Sequence, residues 1–282
     1  MKSLLLKFAG PLQSWGTSSH FETRHTDYYP SKSAVIGMIA AAFGYRRNEP
    51  HDADLKQLNE LAFAVRIDQQ GNLLKDYHIA LKSNPTRNPN GNYVTNRYCL
   101  EDAVFLVALG SEDGLFLEKI EQALAAPYFQ LCLGRRSFPL SYDFIIGMQE
   151  EDPFALLRTY PWMAQKWQQK KIRSLMHSVG GDLFIPIYAD ADLLVLYQSS
   201  MERPFVRKLR HDIAFSFSNK NRRFGYRYEA RFDLPLKAIC PMFDNTHDKK
   251  SASVDELTFS KDYISMEHDA FSILEVNNDV SQ

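Results

Sequence analysis

The first half of the chain alternates between apolar strand patterns and helical patterns, and this order restricts what it can fold into. The periodicity predicts strands and helices in the order strand 3–8, helix 31–43, short helix 54–61, strand 62–67, strands 76–81, 93–100 and 103–109, helix 115–125 and strand 128–133. Between strands 76–81 and 93–100, prolines and asparagines around Gly91 predict a protruding hairpin tip. This order is that of an α+β, ferredoxin-like fold, which RNA-recognition domains share.

The signals change after Pro139, so we place a domain boundary near residue 145. Residues 1–145 are predicted to form the ferredoxin-like domain, and residues 146–243 a smaller β-rich C-terminal region. In that region the patterns predict a short helix from Asp152, strands 183–188 and 193–196, and a basic hairpin with arms 213–217 and 224–232. The acidic tail, 244–282, has the composition of a partly disordered segment.

Composition excludes several classes of protein. Of the 282 residues, 45% are hydrophobic and 24% are charged, with a formal net charge of −1, which is ordinary for a globular protein and not for collagen, a coiled coil or a disordered chain. The longest nearly apolar run, 34–45, is too short to cross a bilayer, and the N-terminus lacks the apolar core of a signal peptide. We therefore expect a cytoplasmic protein without membrane contact.

The cysteines and other motifs predict no metal and no cofactor. There are three cysteines, none of them in a CxxC spacing or beside a histidine pattern. The sequence also contains no phosphate-binding loop, no dinucleotide-binding glycine pattern and no GxSxG motif.

The near-zero net charge conceals two oppositely charged segments. Residues 201–231 contain nine Lys or Arg and three acids, whereas residues 232–282 contain four Lys and ten acids. Aromatic residues alternate with the basic ones, and single-stranded nucleic acid binds to that combination of cations and flat rings. The alternative for this segment is a solvated pair of strands whose aromatic side chains point into the core.

Five segments in a fixed order carry a family resemblance. They are GPLQSWG at 10–16, ETR at 22–24, PSKSAVIGM at 30–38, RYCL at 97–100 followed by Asp102, Ala103 and Phe105, and LCLGRRS at 131–137. In these segments the chain resembles the CasD family of type I-E CRISPR Cascade subunits, the fifth Cas family of the RAMP superfamily. The likeness is dense over residues 1–145, and the segment 162–177 and the acidic tail depart from the family pattern.

The resemblance implies a non-catalytic RNA-binding subunit of an antiviral surveillance complex. Such a subunit caps the 5′ handle of the CRISPR RNA (crRNA), contacts the backbone and large subunits, and meets target DNA through the complex, where base pairing reads the sequence. It also implies a thumb hairpin at about 77–101 that reaches over the guide.

With the resemblance, thirteen residues are candidate RNA contacts. They are Gln13, Trp15, Arg24, Ser31, Lys32, Ser33, Arg97, Arg135, Arg136, Arg207, Arg210, Arg222 and Arg223. Lys32 and Ser33 would lie in the first turn of a helix capped by Ser31, where free amides and the helix dipole attract phosphate. The alternative there is an ordinary N-cap with a solvated lysine.

The other candidates have alternatives of the same kind. Gln13 is expected to read a base edge, and Trp15 either stacks on a base or packs in the core. Arg24 either binds phosphate through two N–H groups of its guanidinium or forms an ion pair with a nearby acid, and the same two alternatives apply to Arg97. Arg135 and Arg136 follow Gly134 at a predicted strand end, where two guanidinium groups can clamp phosphates. The four arginines of 207–223 extend this groove or face an acidic partner subunit.

Two other functions remain open. Relatives in another CRISPR subtype cut precursor RNA, and His20, His25 and Lys32 are residue types suited to metal-independent endoribonuclease chemistry. The 10–16 motif instead matches the non-cleaving branch. A structural scaffold without direct RNA contact is the third possibility.

Overall fold

The structure is a computed structural model and describes residues 1–17, 19–20, 22–81, 92–179, 183–200 and 205–240. The hairpin tip predicted over 82–92, apart from its last residue, and the acidic tail lie outside these residues. The described part up to Cys240 belongs to one compact unit. Among its helices, none is both long enough and apolar enough to cross a membrane.

A seven-stranded antiparallel sheet forms the centre of the fold. Its strands are β1 (Lys2–Ala9), β4 (Ala62–Gln69), β7 (Val104–Ser111), β8 (Ile145–Gln149), β9 (Phe184–Asp190), β10 (Arg207–Ser216) and β11 (Arg223–Pro235). Their spatial order is β10-β11-β9-β4-β7-β1-β8. Both faces of this sheet are covered, because alternate residues of one strand enter two separate cores: Leu4 and Leu6 enter the first, and Leu5 enters the second.

A second, four-stranded sheet lies beside the first. It contains β2 (Leu12–Gln13), β3 (Thr23–Arg24), β5 (Asn72–Leu81) and β6 (Asn92–Glu101). Strands β5 and β6 form a long antiparallel hairpin whose register runs from Asn72 opposite Glu101 to Leu81 opposite Asn92. On the other side of β6, β3 pairs in parallel and β2 antiparallel.

Six α-helices complete the described fold. They are α1 (Lys32–Ala42), α2 (Asp52–Asn59), α3 (Gly114–Ala125), α4 (Pro153–Thr159), α5 (Lys166–Val179) and α6 (Ala191–Val195). The predicted cap is confirmed: Ser31 accepts a hydrogen bond from the amide of Ala34. Helices α1, α2 and α3 supply the first core, whereas α4 and α6 supply the second.

Two strand predictions are wrong. Residues 128–133 form no strand, because the amides of Tyr128 and Phe129 donate to the last carbonyl groups of α1 rather than to a sheet. The last strand of the predicted ferredoxin-like order is therefore supplied by β8 and not by residues 128–133. The run 193–196 is mostly helical, within and after α6, because a short apolar run has no periodicity that separates a buried strand from a buried helix.

The predicted boundary near residue 145 falls at the first residue of β8. Strands on both sides of it belong to one sheet, since β9 pairs with both β4 and β11. This arrangement brings the basic strands β10 and β11 close to the N-terminal end of α1.

Candidate nucleic-acid interface

Three arginines from distant parts of the sequence meet beside the β5–β6 hairpin. Arg24 of β3 lies opposite Arg97 of β6 in the parallel pairing. Arg135 donates hydrogen bonds to the carbonyl oxygen of Tyr98, at 3.1 Å, and to the sulfur of Cys99, at 3.4 Å. We call Arg24, Arg97 and Arg135 the arginine cluster.

The arginine cluster brings three positive groups near one carboxylate, that of Asp76, which lies opposite Arg97 in the hairpin. Burial lowers the pKa of Arg135, and the charges of Arg97 and Arg24 lower it further, against attraction from Cys99 and Asp76. The buried Nε of Arg97 has no hydrogen-bond partner among the described residues. Guanidinium groups held together in this way form a favourable site for an anion with several oxygen atoms.

Flat groups and a close backbone approach surround the arginine cluster. The ring of His25 stacks on that of Tyr98, with centroids 5.5 Å apart and an interplanar angle of 9°. Gly134 has a φ of +88°, and a Cβ there would lie 1.7 Å from the carbonyl oxygen of Ser14, so glycine is needed to place Arg135. Arg136, the next residue, is exposed.

The N-terminus of α1 does not offer the predicted phosphate site. Lys32 is only 4% exposed, and its ammonium group forms an ion pair with Asp190 at 3.1 Å. Its backbone amide donates to a carboxylate oxygen of Asp212 at 2.9 Å, so a protein carboxylate occupies the position predicted for phosphate. Ser31 and Ser33 are buried there, with their hydroxyl groups 3.3 Å apart.

Gln13 and Trp15 belong to the core instead of the surface. Gln13 is fully buried, and its amide nitrogen donates to the carbonyl oxygens of Ala103 and Phe8 at 2.7 and 3.3 Å. The Gln13 oxygen accepts from the indole N–H of Trp15 at 3.1 Å, and Trp15 stacks on Phe8. The polar atoms of Gln13 are therefore hydrogen-bonded inside the protein, and its role in reading a base edge stays a prediction.

Replacing this glutamine tests its internal role. In Gln13→Leu, two carbonyl oxygens and the indole N–H of Trp15 lose their partner, and we expect the free energy of unfolding to fall by about 1–3 kcal/mol. RNA retention per folded molecule should not change. Urea denaturation and RNA binding by the same preparation measure both quantities, and a loss of RNA binding at full stability would support the base-reading role.

Part of the basic segment is buried in what we call the buried ion network. Its members are Lys32, Asp190, Arg210, Asp212, Arg227 and Glu229. Arg227 contacts Asp190, Asp212 and Glu229 at 2.8 to 2.9 Å. Although burial alone lowers the pKa of Arg227, these three carboxylates together raise it.

Arg210 is also held within the protein, which removes it from the predicted RNA groove. It pairs with Asp27 at 3.1 Å and with Glu229 at 3.4 Å, and its guanidinium group lies 4.3 Å from the ring centroid of Tyr29. The hydroxyl of Tyr29 donates to Glu229 at 2.7 Å, and burial together with that carboxylate raises the pKa of the phenol.

The remaining candidates lie on the exposed surface of the β10–β11 hairpin. Arg207 and Arg223 begin β10 and β11, Arg222 lies in the turn between these strands, and all three are exposed. The alternation in β11 is partly the reverse of the expected one, because Tyr226 and Tyr228 point outward while Arg227 and Glu229 point inward. The hairpin surface therefore offers cations and exposed rings, as an RNA or protein contact surface does.

The three residues suggested for RNA cleavage have different environments. His20 is exposed, His25 stacks on Tyr98, and Lys32 is buried against Asp190. Among the described ranges, no three His, Cys, Asp or Glu side chains are grouped as metal binding requires.

Sequence reasoning missed Tyr98 as a stacking surface and missed the carboxylates of the buried ion network. Alternation in β11 carried a signal for the second group. Arg227 and Glu229 are two residues apart, so they lie on one face of the strand, whereas Tyr226 and Tyr228 lie on the other face. The pairing of β3 with β6 has no comparable signal, because β3 is only two residues long.

Comparisons with known proteins agree with each other. A family model described as CRISPR-associated protein (Cas_Cas5) matches residues 3–228. The chain is 32% identical over 172 residues to the CRISPR system Cascade subunit CasD of Escherichia coli strain K12, covering 56% of this chain and 76% of CasD. A chain of a CRISPR RNA-guided surveillance complex is similar in structure, with a TM-score of 0.63 and 29% identity over 84% of this chain and 92% of that one. A crystal structure of a Cas protein gives a TM-score of 0.57 and 30% identity, covering 84% and 97%.

Proposed function

Because the chain belongs to the Cas5 family of CRISPR-associated proteins, we propose that it is a non-catalytic, cytoplasmic subunit of a type I-E Cascade complex. In this role it binds the repeat-derived 5′ handle of crRNA and fixes one end of the guide. The similarity to the Cascade subunit CasD and to a chain of an RNA-guided surveillance complex supports the assignment to such a complex.

The observation that carries the RNA-binding role is the arginine cluster. Its three guanidinium groups come from separate segments. Burial lowers the pKa of Arg135, and the charges of Arg97 and Arg24 lower it further, while Cys99 and Asp76 oppose them. Like charges held together repel one another, and the arginine cluster requires a bound anion to relieve this repulsion. Phosphate groups of a strand that passes the Tyr98–His25 stack would satisfy this requirement, and the rings would support a splayed base.

The β5–β6 hairpin supports a contact with a neighbouring subunit. Five of its large apolar side chains are between 43% and 61% exposed: Leu73, Tyr77, Ile79, Tyr93 and Val94. Ile79 and Val94 are cross-strand partners, so they lie on the same face of the hairpin. Apolar patches of this kind mark protein contacts, and we assign this one to the backbone subunit.

The fold supports the same role. The order β4-β7-β1-β8 within the large sheet, with helices after β1 and β7, is the order of a ferredoxin-like domain. We assign the hairpin between β4 and β7 as the thumb of this domain. The thumb begins beside the arginine cluster, because Arg97 is a residue of β6.

A combined retention and cleavage assay tests the proposal. The purified chain is incubated in EDTA with labelled crRNA that has or lacks its 5′ handle, and with uncut precursor. We expect retention that depends on the handle and precursor that stays intact, because Lys32 is withdrawn into an ion pair with Asp190. The α5 contact proposed below would retain some RNA without a handle, so the deciding quantity is the affinity: equal affinity for crRNA with and without the handle would contradict end capping. Cleavage that is lost in His20→Ala or His25→Ala would establish the endoribonuclease instead.

A further inference from the structure

Helix α5 lies away from the arginine cluster in the sequence and has an unusual charge. Its 14 residues, KWQQKKIRSLMHSV, contain four Lys or Arg and no Asp or Glu. Lys166, Trp167 and Lys170 are exposed, and the indole of Trp167 is 48% exposed. Since residues three and four apart are neighbours on a helix, these three side chains form one patch.

The apolar side of α5 is already occupied. Ile172 and Met176, on the face opposite this patch, pack against the second core. A helix that binds a membrane surface needs its apolar face for the lipid, so that occupant is disfavoured. A protein partner is also disfavoured, because lysine is depleted in interface cores, which are built from apolar contacts.

The segment that leads into α5 is fixed by buried polar groups. Arg66 is fully buried and donates to the carbonyl oxygens of Leu157, Tyr160 and Pro161 at 2.6 to 2.8 Å. Asp68 accepts from the amide of Met163 at 2.6 Å. The lysine and tryptophan side chains therefore project from an anchored helix, which is a preorganised surface.

We propose that Lys166, Trp167 and Lys170 form a second nucleic-acid contact, which binds the sugar-phosphate backbone of a single strand without regard to sequence. Lysine neutralises phosphate as a point charge that tolerates variable positions, and an exposed tryptophan stacks on any unpaired base. Among the described residues, neither lysine forms an ion pair with a carboxylate. This contact does not depend on the arginine cluster or on a handle.

Tryptophan fluorescence gives a direct test with the full chain. Trp15 and Trp162 are only 2% and 8% exposed, so Trp167 is the tryptophan that a bound base can quench. Labelled oligo(dT) and oligo(U) of about 15 nucleotides serve as probes, since neither carries a handle. We expect quenching by both, loss of the quenching in Trp167→Phe, and an affinity about tenfold lower in Trp167→Ala. The probe that binds more tightly identifies DNA or RNA as the natural strand.

The lysines are tested by salt dependence. In Lys166→Ala with Lys170→Ala, the slope of log affinity against log salt should fall by about 1.4, because two phosphate contacts are lost. The matched control is Lys56→Ala with Lys119→Ala, which removes the same charge from exposed positions of α2 and α3 and should keep the slope. An unchanged slope in the α5 variant would overturn the proposal. So would binding of phosphatidylserine vesicles, and not oligonucleotides, through these lysines.

This experiment separates failure of the second contact from failure of the proposed function. Arg24→Ala with Arg97→Ala should weaken retention of handle-containing crRNA and leave the quenching of Trp167 by oligo(dT) unchanged. Loss of quenching in that variant would overturn the independence of the two surfaces.

Discussion

Arg24→Ala combined with Arg97→Ala should lower the affinity for handle-containing crRNA by about 100-fold. A hydrogen bond to a charged group contributes about 1.5–3 kcal/mol, and two such contacts at the lower end of this range, about 3 kcal/mol together, correspond to about this factor. The salt slope should fall by about 1.4, because two fewer phosphates are neutralised. Fluorescence anisotropy at several salt concentrations measures both values.

Two further variants control for charge and for folding. Lys56→Ala with Lys119→Ala removes the same number of charges at exposed sites and should bind crRNA as the wild type does. Arg97→Lys keeps the charge but not the planar fork, so we expect an intermediate affinity with a nearly normal salt slope. If the arginine double variant is stably folded and binds crRNA normally, the arginine cluster is not the handle site.

Arg227→Met should lower the free energy of unfolding by about 3–5 kcal/mol. The substitution leaves Asp212 and Glu229, which are buried, without their main counter-charge, and an uncompensated buried charge costs this much. Urea denaturation gives the value.

Arg231→Met is the matched control on the same strand. Arg231 also pairs with a carboxylate, Asp233, at 2.8 Å, but both side chains are more than 40% exposed. An exposed pair contributes at most about 1 kcal/mol, so this variant should be nearly as stable as the wild type. Equal losses in the two variants would show that burial of the network does not determine its energetic importance.

The sequence predicted local structure better than it predicted the environment of individual side chains. Helix α1 and its Ser31 cap follow from neighbouring residues and were predicted. The role of Lys32 was not, because Asp190 and Asp212 are more than 150 residues away in the chain and their approach has no local signal. The same limit explains Gln13, whose partner Ala103 belongs to a distant segment.

The arginine cluster was found through family motifs rather than periodicity. Arg24 and Arg135 lie in segments with little or no regular structure, and only the short β3–β6 pairing and the φ of Gly134 bring them to Arg97. The predicted strand 128–133 failed for a related reason, since its amides cap the end of α1. Hydrogen bonds between segments that are distant in sequence decided each of these cases.

The position of β9 has a consequence for synthesis on the ribosome. Arg66 of β4 pairs with Ile187 of β9, about 120 residues later. At the usual rate of translation, roughly 6 to 24 s pass before β9 can leave the exit tunnel and cover the open edge of β4. During this interval the nascent chain presents unpaired strand amides and carbonyl groups, to which another extended chain can add. We therefore expect a chaperone or an assembly partner that covers the edge of β4 to reduce aggregation of the nascent chain until its C-terminal strands arrive.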